Sequence, residues 1–226
     1  MATDDGKFYQ GHRARLRQKF LENQLADYEL LELMLAYAIP RRDVRPLARG
    51  LMAKYGGVHQ IITADIDDLM SNPGVGESTA IFLKGMQRLM LAAYQKHMDE
   101  RPIFHDDKIL ANYCRLLLLG KKVEEFHVLY LDRNRRLITD EMHSRGTSDW
   151  AAVYPREILK RALSLNACSV VMLHNHPTAN VSFSEDDVII TQQVHDMLRA
   201  VDIVVYDHYL VSGQIVYSMR NMQLLK

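Results

Sequence analysis

The 226-residue chain sets 28 Lys and Arg against 28 Asp and Glu, with 48% apolar and 25% charged residues. This is an ordinary globular composition, and the balance excludes a global positive field that would announce a nucleic-acid or acidic-membrane partner. No apolar run approaches the ~18 residues of a membrane span, the acidic start MATDDGKFYQ does not read as a signal peptide, and Cys114 and Cys168 alone make neither a disulfide framework nor a four-thiolate zinc site. The expectation is a soluble, cytoplasmic protein with no membrane partner and room for two modules.

From about 10 to 100 the pattern is helical. Leu30, Leu31, Met34, Leu35 and Ala38 recur at three-to-four spacing, and Pro40-Arg41-Arg42-Asp43 ends that segment. A second helix runs from Pro46 to Lys54 and stops at Gly56-Gly57. A third covers 65–70, and a fourth follows Gly74-Val75-Gly76 with Phe82, Met86, Leu89 and Ala93 as its apolar stripe. Residues 11–54 carry nine basic and five acidic side chains, an excess that could touch phosphates, although charge runs on helices are usually a solvated face.

The turn Asn72-Pro73-Gly74-Val75-Gly76-Glu77 joins two helices. Its glycines let the chain turn tightly and expose N–H groups beside a helix start, which makes Gly74 and Gly76 candidate phosphate-binding positions. It looks like the hairpin of helix-hairpin-helix proteins, and implies weak, non-specific DNA contact through this half. Glu77 puts a negative charge where a phosphate would dock, and a tight turn between packed helices explains the glycines equally well.

The polar stretch 95–107, with Pro102, is the expected linker. It divides the chain into an all-α domain, 1–102, and an α/β domain, 103–226. In the second, a helix at 107–119 leads into a strand at 126–132, an Arg133-Asn134 turn and a return strand at 135–143. Pro155 starts a helix with Ile158, Ala162 and Leu165 on its stripe, and the apolar run 168–173 reads as a strand buried on both faces. A helix at 185–200 and strands near 202–211 and 214–218 complete the domain.

The chemistry concentrates at Leu173-His174-Asn175-His176-Pro177 and Ser184-Glu185-Asp186-Asp187. Alternate strand residues point the same way, so His174 and His176 share a face and can converge on one metal. Asp187 lies near the centre of the apolar stripe Ile190, Val194, Met197, Leu198, where an acid is costly unless something neutralises it. Two histidines and one carboxylate leave a fourth position open, as in catalytic zinc sites. Taken alone, each piece has a plainer explanation: a His-x-His pair can be structural, and Ser184 with Asp187 forms a helix capping box. His208, beside Asp207, is a candidate for supporting a ligand from behind or a satisfied core histidine. There is no HExxH, and no Pro-Cys-x-x-Cys of a zinc deaminase.

His174-x-His176-Pro177 followed by Ser184-x-x-Asp187 looks like the JAMM motif of MPN-type metallopeptidases. Further segments resemble the RadC family: GHRARLRQKF at 11–20, DYELLELMLAYAIPRRDVRPLA at 27–48, PGVGE at 73–77, GT at 146–147, VYPREILKRAL at 153–163 and DHYLVSG at 207–213. The resemblance implies a helical, helix-hairpin-helix-like domain followed by a JAMM/MPN-type α/β domain with a cytidine-deaminase-like sheet and flanking helices. It implies Zn2+ held by His174, His176 and Asp187, an oxyanion-stabilising Ser184, and Glu141 as the motif's upstream, proton-transferring glutamate. The residues allow the last role: Glu141 is expected on a strand beside the site, sharing a face with Leu137 and His143, with Asp140 opposite. The loop 178–183 departs from the family, which usually has Ser-Gly-Asp after the proline and a second proline before the serine.

The implied activity is zinc-dependent hydrolysis of a peptide or isopeptide bond in an unidentified protein or peptide partner. The rival reading is a DNA-binding or DNA-repair-associated protein whose JAMM domain is a metal-dependent nuclease or a non-catalytic scaffold.

Overall fold

The computed structural model describes residues 5–103, 107–146, 153–177 and 182–225. Helices come first: α1 (Asp5–Leu21), α2 (Asp27–Ala38), α3 (Arg45–Tyr55), α4 (Val58–Thr63), α5 (Ile66–Met70) and α6 (Glu77–Glu100). Local chemistry sets several ends. Gly56, at φ +85°, terminates α3 in a conformation that residues with a Cβ avoid. Asp65 caps α5 by accepting from the Asp67 N–H at 3.0 Å. Leu31, Leu35, Leu51, Ile61, Leu69 and Leu83 bury together as the core of this half. Val75, the middle residue of the Gly-Val-Gly turn, joins that core, while Gly74 takes φ +92°. The turn is therefore anchored by an apolar plug.

The second half runs α7 (Asp107–Leu118), β1 (Glu125–Leu131), β2 (Leu137–Arg145), α8 (Pro155–Ser164), β3 (Ser169–His176), α9 (Glu185–Arg199), β4 (Val204–Ser212) and β5 (Ile215–Ser218). The five strands lie in the order β2-β1-β3-β4-β5. Only β3 and β4 pair in parallel, and the helix that connects them is α9. Every residue of β1 is buried, as a central strand covered on both faces requires. Phe126, Val128, Val170 and Met172 pack one face against Ile158 and Ala162 of α8 and Val194 and Leu198 of α9. On the other face Tyr113 of α7 donates to Asp140. The fold is thus α/β preceded by an all-α region, as the sequence leads one to expect.

Two local expectations need correction. Residues 95–100, read as linker, are the last turns of α6; the stretch is polar because it is exposed, and it contains no helix breaker before Pro102. The chain divides into compact units Met1–Gln87 and Arg88–Lys226. The second correction concerns β2. Leu131 pairs with Leu137 but Tyr130 pairs with Thr139, so Ile138 is an extra, bulged residue. The bulge moves Leu137 to the Asp140 side, so it does not share a face with Glu141. A second bulge at His143 and a third at Tyr206 interrupt the β1–β2 and β3–β4 ladders. No helix among the described residues is long and apolar enough to cross a membrane.

Candidate metal centre

β3 ends with His174 fully buried and His176 half-buried. Ser184 then caps α9, accepting from the Asp187 N–H at 3.1 Å, while the Asp187 carboxylate accepts from the Ser184 N–H at 2.7 Å. That reciprocal cap turns Asp187 back toward the strand. Its two oxygens lie 3.2 Å from His174 Nε2 and 3.5 Å from His176 Nε2, and the two Nε2 atoms are 3.1 Å apart. Donors ~2.0–2.1 Å from a tetrahedral cation stand roughly 3.3–3.4 Å from one another. The three groups therefore already hold the spacing of ligands around one ion, and no other such group of three occurs among the described residues.

The protons behind His174 can be placed. Thr191 Oγ1 donates to the Asp187 carbonyl at 2.5 Å, which uses its one hydrogen. The 2.6 Å contact between Thr191 Oγ1 and His208 Nδ1 must then be donated by His208. Complete burial, reinforced by neighbouring His174, holds His208 well below the usual histidine range, so it is neutral and its Nε2 can only accept. The 2.8 Å contact with His174 Nδ1 is donated by His174. With its Nδ1 proton committed to His208, His174 turns its Nε2, the atom a metal would take, toward Asp187 and His176. Two imidazole nitrogens and a carboxylate at 3.1–3.5 Å from one another make a donor set that fits a divalent metal. Burial works against the Asp187 charge, and the Ser184 N–H and hydroxyl, which both donate to its carboxylate at 2.7 Å, favour it.

The chain also matches known proteins. A family described as the RadC-like JAB domain matches residues 104–224. UPF0758 protein SPO0054 of Ruegeria pomeroyi is 36% identical over 216 residues, which is 94% of this chain and 96% of that protein. The chain belongs to the RadC family.

In this RadC chain the remaining site residues fall as follows. Glu141 lies on the same sheet face as His174: it pairs with Val128, which pairs with Met172. Its carboxylate does not bond to the histidines. Arg161 of α8 clamps both its oxygens, Nε reaching them at 2.9 and 2.8 Å and Nη2 adding a third bond. This pairing, opposed by partial burial, holds Glu141 below the usual carboxylate range. The Ser184 hydroxyl donates to Asp187 at 2.7 Å, so it is committed to the acid in this state. His208 stands against His174, opposite Met172 on the neighbouring strand. Gly74 and Gly76 lie in the other compact unit. Residue 147 of the Gly-Thr pair and loop residues 178–181 lie outside the described residues.

Several residues around the centre were not singled out from the sequence. Phe126 and Phe183 pack their rings against both His174 and His208. Thr191 stands one helical turn beyond Asp187, a spacing that could have been read from the α9 pattern. Asn175 faces away and staples the α7–β1 loop, its Oδ1 accepting from Glu125 N–H at 2.9 Å and its Nδ2 donating to Val123 O at 3.1 Å. Beside it a cavity of about 490 Å³ is lined by Leu118, Lys122, His176, Pro177 and Val211.

Proposed function

We propose that this RadC-family chain is a zinc-dependent hydrolase of peptide or isopeptide bonds, with 103–226 as the hydrolase domain and 1–102 accessory to it. The observation that carries the reading is the His174 Nε2, its ring held by the Thr191–His208 chain and aimed into the triangle it forms with His176 and Asp187. The chemistry supplied by bound zinc is Lewis acidity: a polarised carbonyl, and a water whose pKa falls from about 16 toward 7. His174, His176 and Asp187 would hold the ion. His208 and Thr191 keep His174 in the ligating tautomer, and Ser184 keeps Asp187 turned inward.

Glu141 takes the proton of the attacking water and delivers it to the leaving nitrogen. For that, Arg161 must release at least one of its oxygens. Ser184 serves the oxyanion only once its hydroxyl leaves Asp187. The cavity beside His176 receives the substrate segment next to the scissile bond.

The test is turnover of peptide and isopeptide-linked substrates by zinc-loaded protein against a Glu141→Gln variant. Loss of a general base costs about 10²–10⁴ in rate, with zinc content unchanged. Equal turnover by the variant would contradict the assignment of Glu141, and cleavage of DNA in place of peptides would favour the nuclease reading.

A further inference from the structure

The end of the sheet away from His174 carries a second constellation. The β1–β2 hairpin tip reads Asp132-Arg133-Asn134-Arg135-Arg136, and all three arginines are exposed. Leu131 pairs with Ser169, so the tip stands at the start of β3, while His174 and His176 close its other end. Five to seven residues of strand separate the two, roughly 17–23 Å. Tyr206 sits at the matching end of β4, with the Arg135 guanidinium 5.3 Å and the Arg220 guanidinium 4.8 Å from its ring centre.

Two features of the backbone present this group. Tyr206 is the bulged residue of β4, and bulges re-aim side chains at sheet ends. Arg135 takes φ +62°, a left-handed conformation that favours Gly or Asn and costs energy for other residues. Asp132 is the one acid of the tip 132–136, and its carboxylate accepts from the Arg136 backbone N–H at 2.9 Å; buried Asp207, next to Tyr206, accepts from the Arg220 backbone N–H at 3.0 Å. None of Arg133, Arg135, Arg136 and Arg220 forms an ion pair among the described residues. In a chain of zero net charge, two guanidinium groups thus stack on one aromatic ring, and Arg133 and Arg136 stand exposed on the same hairpin tip, none of the four with an ion-pair partner among the described residues.

We propose that Arg133, Arg135, Arg136, Arg220 and Tyr206 form a binding surface for single-stranded nucleic acid, separate from the metal centre and independent of it. Arginine forks bond phosphate oxygens in pairs, and guanidinium planes and tyrosine rings offer the stacking surfaces that unpaired bases use. An acidic polypeptide would use the charges but has no use for the stacked ring.

The test is fluorescence anisotropy of a labelled oligothymidylate on the full chain, across a salt series, with and without chelator. Four phosphate contacts to a single strand give a salt slope of about −2.8, so affinity falls roughly 50-fold between 50 and 200 mM salt. Chelator leaves it unchanged. A variant with Arg133→Ala, Arg135→Gly, Arg136→Ala and Arg220→Ala flattens the slope and lowers low-salt affinity at least about tenfold; glycine suits the left-handed backbone, and an unchanged melting temperature shows that the fold persists. Arg135→Lys with Arg220→Lys keeps the charge and loses the planar stack, so it binds with intermediate affinity. An unchanged slope in the fourfold variant, or binding lost instead on Arg41→Ala with Arg42→Ala and Arg49→Ala, overturns the proposal. So does binding of polyglutamate with no binding of oligothymidylate.

Discussion

Replacing His208 with phenylalanine tests the support behind the metal centre. Phenylalanine retains a ring against Phe126 and Phe183, so the packing there is largely kept. It removes the acceptor at 2.8 Å from His174 Nδ1 and the donor at 2.6 Å to Thr191 Oγ1. His174 is fully buried, so its Nδ1–H finds no water in place of the lost partner. An unpaired buried donor costs about 1–3 kcal/mol, and shifting the proton to Nε2 to escape that cost destroys the ligand. Either route weakens zinc binding by about 5- to 150-fold, which brackets the 10- to 100-fold common for partners behind metal-bound histidines. Competition with a chromophoric chelator reads this directly. His208→Gln, whose amide oxygen can accept from Nδ1–H, recovers part of the loss. A His208→Phe protein that is folded and binds zinc within about twofold of wild type would refute the proton assignment and the argument built on it.

Three further outcomes follow from neighbouring groups. Arg161→Ala frees Glu141, whose carboxyl Arg161 holds low, so the acidic limb of the pH–rate profile moves to higher pH; an unmoved limb would show that Glu141 does not set it. Ser184→Ala removes the cap of α9 and destabilises the fold by about 1 kcal/mol in denaturant titration, with a smaller loss of zinc affinity than any ligand substitution. His127 is buried on the sheet's other side, where burial lowers its pKa but the bonded Asp140 carboxylate and the nearby Glu125 carboxylate, 3.6 Å from Nε2, win and raise it. A raised histidine contributes stability that is complete below its unfolded pKa, about 6.5, and is lost as pH rises through the folded value. The stability gap between wild type and His127→Gln is therefore wider at about pH 6 than at about pH 8; a gap independent of pH would contradict the charged state.

The sequence discloses the centre's inner residues because they are local. His174 and His176 are two apart on a strand whose apolar run is continuous, and Ser184 and Asp187 are three apart at a helix start. The partners that decide their state are not local. His208 arrives through the parallel pairing of β4 with β3, and Arg161 meets Glu141 from 20 positions away across the sheet face. Apolar periodicity carries no record of either. Bulges are equally silent in a pattern of alternation, so alternation puts Leu137 on the wrong side of β2 but not Glu141. The short α4 leaves no periodic signal, because six residues hold too few turns for a helical period to show.

Metal content shows whether His174, His176 and Asp187 hold a cation. Wild-type protein supplied with zinc and freed of excess should retain about one ion per chain, and Asp187→Ala, with its third ligand gone, should retain far less. Wild-type protein that holds no metal, or an Asp187→Ala variant that holds as much as wild type, would contradict the centre itself.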